Sequence, residues 1–524
     1  MNTDSDSLRN WKDAFAAFLH PRVITMLFLG FSAGIPILLI FSSLSLWLRE
    51  AGLERGAVTF FSWAALGYSF KFVWAPLVDK LPIPVLTRLL GRRRSWMLAA
   101  QLGIVAAICL MAFTDPSAGA NNLTLMALGA VLLGFSSATQ DIVIDAFRIE
   151  SADSELQAMM ASTYIAGYRV AMIIAGAGAL YLADYFGSSK DLYSFSAWSR
   201  TYFIMASVMI VGIVTTLVIR EPESKRDDTG EQATGDYLRF LILFLLAAGG
   251  FILTFYYSAN LAGELKKGLK ELLGNRHLAG FLIETVRLAA GVGTSVLIAR
   301  IAIYIGIVDR SIVEQTYIEP VRNFFGRYGM GLAWLLLALI GLYRISDIVL
   351  GVISNVFYQD LGFTKKEIAS IVKVFGLSMT MAGGFAGGIL SVRYGVIRIL
   401  FLGALLSSAT NLLFMAMALT GYDHYMLYLV ISADNLAAGI AGAAFVAFLS
   451  SLTDIKFTAM QYAIFSSLMT LIPKITGGYS GTIVDSVGYP VFFLITTLMG
   501  IPVLFLIILA GHKFSVIDKE SDNS

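Results

Sequence analysis

Charge is scarce in this chain. Only 14% of its 524 residues are Asp, Glu, Lys or Arg, while 57% are apolar, against about 25% and 45–50% in soluble globular proteins. With a mean hydropathy of +0.75, that scarcity excludes a water-soluble enzyme. Thirty-eight basic residues face 36 acidic ones, a net of +2, so no bulk field favours nucleic acid as a partner. The single cysteine, Cys109, excludes an internal disulfide and any cysteine-based zinc or iron–sulfur site. The four histidines (His20, His277, His424 and His512) lie near the ends of apolar runs, which argues against a buried histidine cluster. No G-x-x-x-x-G-K-[ST] loop is present to cradle ATP phosphates. No cofactor is expected, and an enzyme is not.

What the chain has instead is long apolar runs. About 20 apolar residues span the roughly 30 Å hydrocarbon layer of a membrane. The first run extends from Val23 to Trp47 with no charge before Arg49. It is too long for a signal peptide and no A-x-A-like cleavage site stands out, so it reads as a retained span. Further runs at 57–80, 95–114, 123–147, 157–184, 199–219, 238–262, 279–308, 330–358, 367–392, 396–420, 426–450, 457–484 and 489–511 give an expectation of about fourteen helices. Glu284, Arg287 and Arg300 interrupt 279–308. The dense basic loops (Lys80, Arg88, Arg92, Arg93 and Arg94; then Arg220, Lys225 and Arg226; then Arg393 and Arg398) fall on one side when both termini are cytoplasmic. The exception, 264–277, carries Lys266, Lys267, Lys270 and Arg276 with leucines at helical spacing, the pattern of an interfacial helix.

The chain repeats itself. Trp47-Leu-Arg-Glu-Ala-Gly-Leu53 aligns with Phe357-Tyr-Gln-Asp-Leu-Gly-Phe363, and Leu182-Ala-Asp-Tyr-Phe-Gly187 with Ile483-Val-Asp-Ser-Val-Gly488, at offsets of about 310 and 301. Two parallel six-helix halves, as in major facilitator transporters, are therefore expected at 1–220 and 330–524. The polar linker and an inserted helix pair occupy 221–329.

Chemistry resides in the charges within the runs, because an ionisable group near the bilayer centre costs on the order of 3 kcal/mol. Asp141 and Asp145 share one helix face, and Arg148 is placed to pair with Asp145. Asp141, a turn deeper, suits a proton carrier or a structural ion pair with another helix; Asp145 suits a proton site or a partner for the basic loop. Lys71, Arg169, Arg344, Lys373 and Lys474, with Asp347 and Asp434, also reach mid-membrane. Arg344 and Asp347 are close enough to neutralise each other. Five such cations against four carboxylates point to a polar, anionic ligand, with Tyr68, Gln140, Tyr168 and Asn435 among the groups able to hydrogen-bond it, unless they bond neighbouring helices instead. Asp79 ahead of Gly91-Arg92-Arg93-Arg94 reads either as an ionic gate latch or as arginines that merely set topology.

Several strings carry a resemblance: Gly30-Phe-Ser-Ala-Gly-Ile-Pro36, Tyr68-Ser-Phe-Lys-Phe-Val-Trp-Ala-Pro-Leu-Val-Asp79, Ala138-Thr-Gln-Asp-Ile-Val-Ile-Asp-Ala146, Gly167-Tyr-Arg169 and Tyr343-Arg-Ile-Ser-Asp347. In these the chain resembles the anhydromuropeptide permeases, the AmpG family. The resemblance implies a carrier in the bacterial inner membrane that takes up cell-wall turnover products (GlcNAc-anhydroMurNAc with or without its peptide) with protons, and a monomer is expected. Asp141, Asp145, Lys71 and Arg169 match family motif positions. A carrier of another anion, such as acetyl-CoA, is the alternative.

Overall fold

A backbone in hydrocarbon has no water to bond, so apolar runs of this length satisfy their own amide groups as helices. The computed structural model describes residues 17–522 except 54–67, 69–70, 153, 190–191, 223–233, 274–275, 365–366 and 478–479. The first half contains α1 (Pro21–Glu50, broken at Phe41), α2 (Arg92–Ala112), α3 (Ala120–Ser151), α4 (Leu156–Tyr185) and α5 (Phe195–Val218). Then come α6 (Thr234–Tyr257), α7 (Ala259–Leu273) and α8 (Arg276–Tyr304). The second half contains α9 (Glu319–Leu342), α10 (Ile345–Asp360), α11 (Gly376–Tyr394), α12 (Val396–Thr420), α13 (His424–Leu452), α14 (Thr458–Gly477) and α15 (Ser480–Asp522).

Among the described residues, eleven helices are long and apolar enough to cross a membrane, or up to twelve if the bent pair Leu241–Thr254 and Ala259–Leu272 forms one span. The count falls short of fourteen for two reasons. Most of the run 57–80 lies outside the described residues, with Lys71–Val73 and Ala75–Lys80 as its described helical end. In 279–308 only Ala289–Tyr304 is apolar enough, and it is too short to count as a span. Arg287 interrupts the run and, nearly buried, donates to the Ser258 hydroxyl at 3.1 Å.

Residues 226–323 form a compact unit of their own, apart from 1–225 with 324–524. Within it α6 and α8 run side by side, joined by Thr254–Thr294 at 3.0 Å and by Ser295 donating to the Ala247 carbonyl at 2.9 Å. α7 turns away from α6 by 46° and exposes Leu261, Leu265 and Leu272.

The internal repeat is visible in backbone geometry. Gly52 and Gly362 both carry positive φ (86° and 96°), as do Gly187 and Gly488 (97° and 77°), where an L side chain would be strained. The acidic residue of each repeat, two before the first glycine of its pair, anchors that loop to the last helix of its half. Glu50 accepts from Trp198 Nε1 at 2.7 Å, and Asp360 accepts from the Tyr489 hydroxyl. Trp47, Trp198 and Tyr202 then stack into the first core, and Phe357, Phe414 and Phe493 into the second.

Helix crossings are lined by glycine. Gly30 and Gly34 of α1 lie against the Tyr164 and Tyr168 carbonyls of α4, and Gly383 and Gly387 of α11 against Leu436 and Ile440 of α13. Close approach of this kind is how helices bind in lipid. Gly383→Val is expected to force α11 from α13 and cost about 1–3 kcal/mol through overpacking. A lower unfolding midpoint in detergent, with Gly384→Val as a control at an open position, checks it.

Ahead of the span that begins at Ser370, Thr364 and Glu367 form a reciprocal capping box. The Thr364 amide donates to Glu367 at 2.7 Å and the Glu367 amide to the Thr364 hydroxyl at 3.3 Å. The Thr364 hydroxyl, Tyr422 and His424 also bond the Glu367 carboxylate. These hydrogen bonds, from Thr364 first, hold its pKa at about 2 instead of 4.5. A depressed pKa stabilises the fold above pH 4.5, and that contribution disappears as the pH falls towards 2. Glu367→Gln is expected to flatten the pH dependence of the unfolding midpoint across this window, and a midpoint series against pH checks it.

Candidate functional site

The two halves meet at the end of the bundle that bears the basic loop 80–94. Arg93, only 1% exposed, donates to Asp79 at 2.7 Å and to Glu150 at 2.5 and 2.9 Å. Asp79 accepts through its other oxygen from the Met460 amide at 3.0 Å, in the first turn of α14. There the carboxylate meets the positive end of a helix in the opposite half. Arg92 reaches the Asp79 carbonyl at 2.8 Å and Glu150 at 3.7 Å. Arg94 does not join this cluster; it donates to the Thr216 and Leu217 carbonyls. Glu221 caps α2 by accepting from the Arg93 and Arg94 amides. Among the described residues, Asp79 and Glu150 are the carboxylates that hold the basic loop, and Asp145 pairs with Lys71 and Arg148 instead.

One step inward lies a second chain of charges. Lys71 Nζ is 3.6 Å from Asp145, whose other oxygen lies 3.5 Å from Arg148. Arg148, also 1% exposed, donates at 2.8 Å to Gln157 and to Ser450 of the second half and lies 5.2 Å over the Tyr462 ring. Asp141, partly buried, feels Lys71 and Asp145 electrostatically and accepts from the Tyr164 hydroxyl at 3.4 Å. Asp141 thus sits next to the Lys71–Asp145 pair, beside the seam between the halves.

Further in, both halves wall one cavity of about 240 Å³. Arg169 enters from α4; Asp347, Ser354, Thr380, Asp434 and Asn435 enter from the second half. Arg344 stands at the break between α9 and α10, ion-paired with Asp347. Arg169 has a different situation. Among the described residues its contact is the Met172 sulfur at 3.9 Å, and no carboxylate reaches ion-pair distance.

The other sequence-selected groups divide. Asn435 lines the cavity and accepts from Thr380 at 2.8 Å. Tyr168 lies next to Arg169, close to Asp141. Tyr68 donates to Ser137 at 2.6 Å. Gln140 is fully buried and donates to Ser32 at 3.0 Å, so it ties α3 to α1 and does not face the cavity. Lys373 and Lys474 lie in described helices, but their side chains fall outside the described ones. Among the described cations of the five, Arg169 is in the cavity lining, against Asp347 and Asp434, while Lys71 pairs with Asp145 and Arg344 with Asp347.

Sequence reasoning missed Glu150, Gln157, Ser450 and Tyr462. Glu150 had a signal, an acidic residue just beyond Arg148 on the same helix end. Ser450 had none.

A helical bundle with buried ion pairs at a seam between two halves and charged groups in a central cavity is the build of a membrane carrier. The chain belongs to the Major Facilitator Superfamily, whose sequence pattern matches residues 23–343 and 335–521. It is a transporter and not an enzyme. A Rickettsia conorii protein named as a transporter, AmpG 4, is 29% identical over 499 residues, covering 95% of this chain and 99% of its own length. The anhydromuropeptide permease of Escherichia coli (strain K12) is 27% identical over 492 residues, covering 94% of this chain and 80% of its own. Among solved structures, the major facilitator transporter FucP in the outward conformation shares the fold, with a TM-score of 0.56 at 13% identity over 94% of this chain and 99% of that one.

Proposed function

We propose that the protein is a proton-coupled importer of anionic cell-wall turnover products, GlcNAc-anhydroMurNAc and its peptides, in the bacterial inner membrane. It works as a monomer with both termini cytoplasmic. The halves 1–220 and 330–524 rock about the central cavity, and the segment 221–329 links them. One observation carries the reading: Arg169 projects into a cavity shared by both halves with no described carboxylate paired to it. A lactyl or peptide carboxylate would supply that partner. The similarity to a permease of anhydromuropeptides supports this class of acid.

The ion-paired seam suits the closed side of such a carrier. Asp79, held by Arg93 and Arg92, bridges to the Met460 amide of the second half at the basic end, here assigned to the cytoplasm by the positive-inside rule. Substrate then enters from the other side. Proton coupling is assigned to Asp141 and Asp145 next to Lys71, and substrate contacts to Arg169, Tyr168, Arg344, Asp347, Asp434 and Asn435. Lys71, Lys373, Lys474 and Tyr68 complete the candidate set.

Binding tests the substrate class directly. Labelled GlcNAc-anhydroMurNAc should bind the purified protein and be displaced by unlabelled muropeptide but not by acetyl-CoA. Displacement by acetyl-CoA alone would assign a different anion.

A further inference from the structure

Asp434 stands apart from the other charges of the cavity. Arg344 is taken up by Asp347, and Asp145 lies between Lys71 and Arg148. Asp434 has the Thr410 hydroxyl at 3.4 Å, and among the described residues no cation comes within ion-pair distance. Its surroundings are set by every helix packed on α13. Arg344 and Asp347 come from the α9–α10 junction and Tyr358 from α10. Arg169, with Tyr168 beside it, comes from α4. Lys373 and Lys474 belong to neighbouring helices, their side chains outside the described ones.

With all four central groups ionised, Arg169 and Arg344 balance Asp347 and Asp434. An entering anion then gains from Arg169 and loses to Asp434 in a low-dielectric space where both effects are large. With Asp434 neutral, these four described groups leave one uncompensated positive charge at Arg169, ready for a single carboxylate.

We propose that Asp434 is a proton-binding group of the substrate cavity itself, whose protonation admits a substrate carboxylate to Arg169. The inference rests on the transport reading above and deepens it. One proton from the water of the open side and one negative charge on the substrate enter together, and both leave on the other side. Asp434 is distinct from Asp141, which lies towards the basic end beside Lys71 and does not line the cavity. Thr410 positions the carboxyl.

Two measurements on the full chain in lipid test this. Infrared difference spectra between about pH 9 and pH 5 should show a protonated-carboxyl band that vanishes in Asp434→Asn and shifts in Asp434→Glu. A band unchanged in both variants would overturn the proposal, whether or not any substrate is known. Binding of labelled GlcNAc-anhydroMurNAc to the wild type should weaken by about tenfold per pH unit above the midpoint of that band, and should lose this dependence in Asp434→Asn. Wild-type binding that is flat with pH also overturns it. If the wild type fails to bind the probe at all, the substrate reading fails, while the infrared result still decides whether Asp434 takes a proton.

Discussion

Asp141→Asn is expected to lower steady-state accumulation in energised vesicles several hundred-fold while leaving counterflow of labelled for unlabelled substrate intact. Each proton moved per cycle draws on about 2.3 kcal/mol for each 100 mV of potential and about 1.4 kcal/mol for each pH unit, and Asp141 is assigned one proton in addition to any taken by the cavity. With both imposed at those values the contribution is about 3.7 kcal/mol, more than two decades in concentration ratio. An asparagine keeps the size of Asp141 and still accepts from the Tyr164 hydroxyl, so the fold should survive. It cannot take up and release a proton. Counterflow needs only the movement of loaded carrier and should persist. Normal accumulation by this variant would return Asp141 to the role of a structural partner for Lys71.

The second large effect concerns stability. Arg93→Ala leaves Asp79 and Glu150 facing each other in a buried site, stripped of the cation that holds both. Breaking a buried ion pair by removing one partner costs about 3–5 kcal/mol. The variant should unfold well below the wild type and lose uptake. Adding Glu150→Gln removes one of the stranded charges and should restore part of the midpoint, a non-additivity that residues in direct contact produce. Arg94→Ala, which loses only two backbone carbonyl contacts, should stay within about 1 kcal/mol of wild type. Equal losses in Arg93→Ala and Arg94→Ala would mean that the loop acts through its charge alone.

Much of the architecture is legible in the amino-acid sequence. Hydropathy locates the spans because hydrocarbon leaves the backbone no alternative to helices, and the repeated loops at Trp47–Leu53 and Phe357–Phe363 return as matched glycines and matched acidic anchors. The middle of the chain is harder. A helix like α8, apolar but interrupted by Glu284, Arg287 and Arg300, can lie in or on a membrane, and the pairing of Arg287 with Ser258 is a tertiary fact that no window average contains.

The site divides in the same way. Charges four residues apart on one helix announce themselves, as Asp141 and Asp145 do. Single polar residues do not. Gln140 resembles a ligand-binding residue by type, yet its amide nitrogen donates to Ser32, because a buried donor in a bundle is costly when left without a partner. The seam is least legible of all. Ser450 lies 302 positions from Arg148, and nothing near either residue in sequence points to the other.

The central claim is proton-coupled import, and gradient-driven uptake tests it most directly. Purified protein is reconstituted in liposomes, and entry of labelled GlcNAc-anhydroMurNAc is followed with and without an imposed inward proton gradient. The account predicts accumulation above the external concentration with the gradient, collapse on adding a protonophore, and mere equilibration without it. Uptake that is indifferent to the gradient, or absent from vesicles whose protein is shown to be folded, would contradict it.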